Sequence, residues 1–440
     1  MEPKISYFDV AVVGGGPAGT AAAIAAARNG AKTLLIEKNG FLGGMATGGA
    51  VPAFCTFTDG KKAIVRGIGL EILEELKKNT WRSPFYDRKE GRIEGMDWLP
   101  IDPEALKLVL DQKAVSSGCS LLFHTMLIGC NQENNRIHSL MLHNKSGLHT
   151  VCAHTYIDCT GDGDLAAVSG CTVEIGDEKG QVQAGTLCFQ VANFDTERFM
   201  EYARDVKENG NLMNAVYRAK ENGDFPEGEA KVAGIALAAP GMASFNFGHV
   251  YGFDPLDEQS VTQAEIYARQ KLPQLMKFIR DYVPGGEHSV LASSGPDMGV
   301  RESRRIRGMY YMTIDDYERR ADFPDAIGYY SYPVDIHGAA GTDEALEQQY
   351  KNTAYQPGES YGIPYRCLVP VGVPNLLMAG RMVSCDRYVQ ASLRVMPACF
   401  LMGQAAGTAA AMAASEETDT CDVDTRLLRN RLRSQGCYLR

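Results

Sequence analysis

The chain has 440 residues, 45% of them hydrophobic and 22% charged, which is enough apolar sequence to bury a substantial core. Its 44 basic and 54 acidic side chains leave a net charge of −10, which argues against a nucleic-acid footprint and against a polybasic membrane patch. Twelve cysteines are scattered with no Cys-x-x-Cys pair, so zinc ribbons, ferredoxin-type clusters and thioredoxin-like dithiols are not expected, nor is any metal site. Such thiols read as small buried hydrophobes in a reducing compartment, and the expected location is cytoplasmic. Met1-Glu2-Pro3-Lys4 leads straight into a strand pattern with no apolar leader segment.

Residues 7–13 are a mostly apolar run of the buried-strand type. Gly14-Gly15-Gly16-Pro17-Ala18-Gly19 follows, then an alanine-rich helix over 20–29 that Gly30 stops, then a second apolar strand over 32–37. Strand, glycine turn, helix, strand and terminal acid make up a dinucleotide-binding unit. Gly14 permits the tight turn, Gly16 lets the backbone approach a pyrophosphate, and Gly19 lets the helix pack closely on the strand. The helix N-terminus, with Pro17 and Ala18, offers N–H groups and a positive dipole end to phosphates. Glu37, eighteen residues after Gly19, is placed to accept hydrogen bonds from ribose hydroxyls, and an acid there disfavours a 2′-phosphate. This unit alone leaves NAD and FAD open.

Further along, Asp102 caps an amphipathic helix whose stripe is Ala105, Leu106, Val109, Leu110 and Ala114. Strand patterns at 121–128, 136–143 and 149–157, with a turn at Ser146-Gly147, predict a β-meander. Residues 257–283 read as a long helix. Residues 395–414 read as a buried helix rather than a membrane span, because Pro397 and Gln404 interrupt the apolar run. A last helix is predicted over 425–434.

Three later segments resolve the cofactor. Glu37-Lys38-Asn39-Gly40-Phe41-Leu42-Gly43-Gly44-Met45-Ala46-Thr47 is glycine-rich and follows the acid. In Asp158-Cys159-Thr160-Gly161-Asp162-Gly163-Asp164 a strand ends at a Thr-Gly pair. Ala379-Gly380-Arg381 precedes a small-residue helix that starts near Met396-Pro397-Ala398. On these motifs the chain resembles FAD enzymes of the glutathione-reductase-2 type, and above all the broad family of bacterial FAD-dependent oxidoreductases, over most of its length.

The resemblance implies an α/β fold: a Rossmann-like FAD-binding domain, parallel sheet plus β-meander, with an inserted α+β substrate domain. The FAD-binding parts are 1–175 and 356–440, and the insertion is 176–355. It implies non-covalent FAD. Lys38, Gly43, Gly44, Met45, Ala46 and Thr47 would run along the cofactor, and backbone near Met126 would meet the adenine. Thr160, Gly161 and Asp164 would lie beside it, with Gly380, Arg381, Met396 and Ala398 towards the flavin. There the helix dipole would stabilise charge on the reduced ring. Asp162 and Asp164 either bond cofactor hydroxyls or cap the next helix. No second strand–GxGxxG–helix unit is present, so a separate NAD(P) domain is not expected. No histidine precedes His124, and Cys385 and Cys399 read as inert thiols.

Candidate chemistry lies in the insertion and just beyond it. Arg301, Arg304, Arg305 and Arg307 fall within seven residues. Arginine forks bind carboxylates, phosphates or developing oxyanions; a solvated charged face with Glu302 is the competing reading. Strand alternation would group Arg301, Ser303 and Arg305, with Glu302 and Arg304 opposite. By resemblance Arg301 and Arg304 are the choices for the site. In an extended 332–338 segment Asp335 and His337 share a face, so His337 is either the base for a substrate hydroxyl or a structural histidine. Tyr365 and Arg366 are pocket candidates at the domain junction, and Arg381 and Arg394 flank the flavin-facing helix.

The expected function is an FAD-dependent oxidoreductase. It would move a hydride between a small anionic or polyhydroxylated substrate and flavin N5, with a diffusible electron acceptor. The alternatives are a flavin-dependent isomerase, hydratase or transferase, or a non-catalytic FAD-binding protein. No nucleic-acid or membrane partner is expected, and a homodimer is the default on symmetry grounds.

Overall fold

The computed structural model describes residues 4–81, 93, 95–338 and 354–440. The chain opens with β1 (Lys4–Val13), α1 (Pro17–Arg28) and β2 (Thr33–Ile36). A short antiparallel pair, β3 (Ala53–Thr56) and β4 (Asp97–Pro100), brackets α2 (Ile68–Asn79). Next come α3 (Pro103–Ser116), β5 (Ser120–Leu122), β6 (Met126–Glu133), β7 (Arg136–Asn144) and β8 (Gly147–Asp158). Asp102 caps α3 as predicted, its carboxylate accepting from the N–H groups of Glu104 and Ala105.

The main sheet has seven strands, in the order β5-β2-β1-β8-β7-β6, with Leu376–Met378 also on β8. The length of β8 explains this branching. One edge pairs in parallel with β1 along most of its length. The other edge is shared: its first residues pair antiparallel with β7, and Tyr156–Asp158 pairs in parallel with Leu376–Met378. A five-stranded parallel sheet thus carries a β-meander on its flank. Strand order reverses around β1, which opens a crevice beyond the C-terminal ends of β1 and β8, where open α/β sheets bind ligands.

Two local features depart from the sequence reading. The stretch 121–128 is not one strand: His124 adopts φ +50°, and the chain turns so that Thr125 N–H donates to the Glu37 carbonyl at 3.0 Å. The hairpin between β6 and β7 turns on Asn134-Asn135 at φ +51° and +63°, a type I′ geometry that asparagine tolerates.

The helix Met396–Glu416 lies directly on α1. A Cβ on Gly403 would fall 2.0 Å from the Ala18 carbonyl oxygen, and one on Gly407 would fall 2.0 Å from that of Ala22. Missing side chains let the two backbones touch, and alanines fill the remaining seam. Residues 396–413 are buried throughout. Among the described residues no single helix is long and apolar enough to cross a membrane; only Arg387–Leu393 with Met396–Glu416, bent by 91°, passes a length-and-composition test as a pair.

A second core lies between Phe189 and Val283. Its four-stranded antiparallel sheet orders Gly234–Ala239, Met242–Asn246, Phe189–Ala192 and Val290–Ser294. Phe189 stacks on Phe245, and Phe278 of the helix Glu258–Tyr282 packs edge-on against Phe247. Tyr317, Tyr329, Tyr330 and Tyr361 instead join the first core, with α1 and the helix Met396–Glu416. Packing therefore draws the second core more narrowly than residues 176–355.

Candidate active site

The nucleotide end is built from backbone. Gly14 sits at φ +97°, and a Cβ there would meet the Cys159 carbonyl oxygen at 2.4 Å, so β1 and β8 converge where only glycine fits. A Cβ on Gly19 would lie 1.7 Å from the Gly14 carbonyl oxygen. Gly16 differs: its nearest neighbour is the Gly44 Cα at 3.8 Å, which leaves an open groove at the uncapped N-terminus of α1. The Glu37 carboxylate accepts from Gly15 N–H at 2.6 Å and Asn39 N–H at 2.8 Å. Two of its roughly four lone-pair positions are therefore used, and the residue lines the groove. Burial raises its pKa, against the pull of those N–H bonds and Lys38.

A cavity of about 850 Å³ runs from this groove into the second core. Of the expected cofactor residues, Gly14, Gly16, Pro17, Ala18, Glu37, Lys38, Gly44, Met45, Thr160, Gly161, Gly380, Arg381 and Met396 line it. Gly19, Gly43, Ala46, Thr47 and Ala398 stand behind the wall. Gly43 N–H donates to the Gly15 carbonyl at 2.8 Å, and the Thr47 hydroxyl donates to that of Leu42 at 2.7 Å. Met126 is 57% exposed and outside the lining.

The 158–164 loop sorts its acids by environment. Asp158 is fully enclosed and accepts from Thr160 and Ala166; burial pushes its pKa up to about 6. Asp162 lines the cavity and accepts from Arg381 at 2.5 Å and Ser303 at 2.6 Å. Burial pushes that carboxyl up, but Arg381 and Ser303 outweigh it and hold the group low. Asp164, expected beside the cofactor, is half exposed instead and bonds Arg304 at 2.9 Å. The pair clips the loop from outside, so Arg304 is not on the cavity wall.

The arginine segment does not alternate as predicted, because only Arg304–Ile306 is a strand. Glu302 is fully buried and accepts from Arg305 at 2.6 Å, Arg387 at 3.1 Å and Gln183 N–H at 3.0 Å. Glu302 and Arg305 thus meet instead of facing apart, and the solvated-face reading fails for both. Arg301 reaches the cavity while bonding the Ala184 carbonyl, Thr186 and Asn246. Arg366 pairs with Asp325 at 2.9 Å, lies over the Tyr310 ring and is absent from the lining, as is Tyr365.

Asp335, His337 and Arg394 come together on the wall. Arg394 donates to the Asp335 carbonyl at 2.7 Å and carboxylate at 3.0 Å. His337 Nε2 lies 3.3 Å from Asp335 Oδ1, the expected pairing, and its Nδ1 lies 3.1 Å from His249 Nε2. Both imidazole nitrogens are therefore engaged within the protein. Burial and Arg301 push the His337 pKa down to about 3. Burial would raise the Asp335 carboxyl, but His337 and Arg394 hold it well below the usual range. Trp98 and Tyr332 supply flat walls nearby. His249 was not foreseen: its only local signal is the preceding Gly248 at φ +93°, and nothing in the spacing ties it to a partner 88 residues away.

The donor set fits a dinucleotide. The groove at Gly16 and the uncapped N-terminus of Met396–Glu416 offer N–H groups, and the buried Nε atoms of Arg381 and Arg394 have no protein partner. Those atoms suit an acceptor-rich ligand.

A segment of 74 residues is 47% identical to cinnamate reductase of Clostridium sporogenes, but covers 16% of this chain and 11% of that protein. The p-nitrophenol 4-monooxygenase PnpA of Pseudomonas putida DLL-E4 shares the fold, with a TM-score of 0.52 at 12% identity over 98% of this chain and 89% of that one. A geranylgeranyl bacteriochlorophyll reductase-like protein of Thermoplasma acidophilum matches with a TM-score of 0.49 at 14% identity, over 98% and 83%. The profile of the family described as FAD dependent oxidoreductase matches residues 9–432. FAD is the cofactor, and the chain belongs to that FAD-dependent oxidoreductase family.

Proposed function

We propose that the protein oxidises or reduces a small anionic or polyhydroxylated substrate by hydride exchange with bound FAD. The observation that carries this reading is the single cavity joining the dinucleotide groove to the Arg301, Arg394, Asp335 and His337 cluster. FAD supplies a two-electron carrier at N5. The chain's own residues do the rest. Gly14 to Gly19, Glu37, Arg381 and the N-terminus of Met396–Glu416 hold the cofactor. Arg301 and Arg394 attract and orient negative charge or hydroxyl oxygens on the substrate. Trp98 and Tyr332 exclude water from one side. The Asp335 carboxylate, with His337 behind it, accepts the hydroxyl proton of an alcohol substrate, or returns it in reduction. A diffusible acceptor completes the cycle.

The holoprotein should be yellow, and its absorbance should bleach anaerobically with at least one compound from a panel of 2-hydroxy acids, sugar acids and polyols. Recovery should require an added acceptor. Product formation with neither bleaching nor acceptor would replace this reading with a non-redox one.

A further inference from the structure

The His337–His249 contact continues beyond the cavity. His249 Nδ1 lies 3.4 Å from Glu229 Oε2, and the other Glu229 oxygen bonds the Lys271 ammonium. Glu229 and both imidazoles are buried, while Lys271 retains 8% exposure of its side chain on the helix Glu258–Tyr282, beside the half-exposed Tyr267 ring. The charged groups facing this line are Arg301 and Arg394 at the cavity end and Lys271 at the far end; Tyr251 stacks on His249 at 5.8 Å.

We propose that Asp335, His337, His249 and Glu229 form a proton relay between the cavity and Lys271, a role that rests on the oxidoreductase reading. Hydrogen counting supports it. Three contacts, at 3.3, 3.1 and 3.4 Å, each need one hydrogen. Two neutral imidazoles carry only two N–H groups. The line is complete only with a third proton; with two, one contact sets lone pairs face to face. That is the composition of a line with one proton in transit. A proton arriving between Asp335 Oδ1 and His337 Nε2 breaks the His337 Nδ1–H bond as the His249 Nε2–H bond forms. The His249 Nδ1–H bond then breaks as a Glu229 O–H bond forms. Lys271 releases one proton to water as it takes one from Glu229, so charge and hydrogen balance. In reduction the sequence reverses.

Lys271→Arg separates a relay from a structural network. Arginine keeps the positive charge and the ion pair with Glu229, but does not deprotonate. The holoprotein is reduced anaerobically by a panel substrate, which passes a hydride to the flavin and one hydroxyl proton to the medium, and proton release is followed with an indicator dye. The relay predicts unchanged flavin content and melting temperature with proton release slowed about tenfold in Lys271→Arg, and Lys271→Met no faster. Release at the wild-type rate in Lys271→Arg would overturn it. A second measurement needs neither variant nor bound flavin. In protein labelled with ¹⁵N-histidine, the relay predicts a ¹⁵N–¹⁵N coupling across the His249–His337 contact and joint titration of the two rings. Independent titration without coupling would overturn it. A protein that retains no FAD on reconstitution would sink the oxidoreductase reading, and the histidine spectra would still decide whether the line shares a proton.

Discussion

The two ends of the cavity are made from different materials. At the nucleotide end, contacts come from backbone brought close by absent side chains: Gly14, Gly19 and Gly403 each stand where a Cβ would collide with a carbonyl oxygen or the chain behind it. At the other end, contacts come from charged side chains drawn from distant segments. On the wall His337 joins Asp335 and Arg394 joins Asp335, and behind it Glu302 joins Arg305, Arg387 and Gln183. The first kind of site is rigid and tolerates no added volume. The second depends on buried charges that tolerate no missing partner.

This contrast can be broken from either side. The largest effect is expected at Glu302. Replacing it with Ala removes the carboxylate from the buried Arg305 and the partly buried Arg387 and should cost about 3–5 kcal/mol, read as a lowered denaturation midpoint. Gly403→Ala adds one methyl group against the Ala18 carbonyl and should cost about 1–3 kcal/mol while loosening FAD, seen as flavin lost on gel filtration. Glu37→Ala leaves the Gly15 and Asn39 N–H groups without their acceptor and should cost about 1–3 kcal/mol, again with weakened FAD retention.

A pH series sharpens the comparison. Unfolded histidine takes a proton below its ordinary pKa of 6.5, whereas buried His337 resists until about pH 3. The unfolded state therefore binds more protons in that window, and stability should fall as pH drops from about 6.5 towards about 3. Melting curves of His337→Gln should show a shallower fall over the same range. The smallest effect belongs to the surface. Glu71→Ala removes an exposed bidentate pair with Arg28 and should change stability by at most about 1 kcal/mol.

The same contrast explains what could be read in advance. Gly14 to Gly19 and Glu37 form a local pattern in which each residue's task follows from its neighbours in sequence. The meander and α3 were legible for the same reason, through hydrophobic period and the Asp102 cap. The arginine segment was not. Its alternation presumed a strand that spans only Arg304–Ile306, and Glu302 is fixed by Arg387, 85 residues away. Asp164 was read as bonding the cofactor or capping the next helix and Arg304 as a site residue, yet they bond one another. His337 was found through its neighbour Asp335, but His249 and Glu229 were invisible because long-range side-chain pairing leaves no periodic trace. The small-residue run 395–414 marked a buried helix without revealing that α1 was the partner.

The central claim is that substrate chemistry and FAD meet in one cavity through the Asp335, His337 and Arg394 cluster. The most direct test is anaerobic stopped-flow reduction of the bound flavin by the best substrate of the panel, comparing wild type with Arg394→Met. Losing a charge-assisted contact of about 1.5–3 kcal/mol predicts a fall in reduction rate per bound flavin of roughly ten- to a hundredfold. Reduction at the wild-type rate would contradict the account.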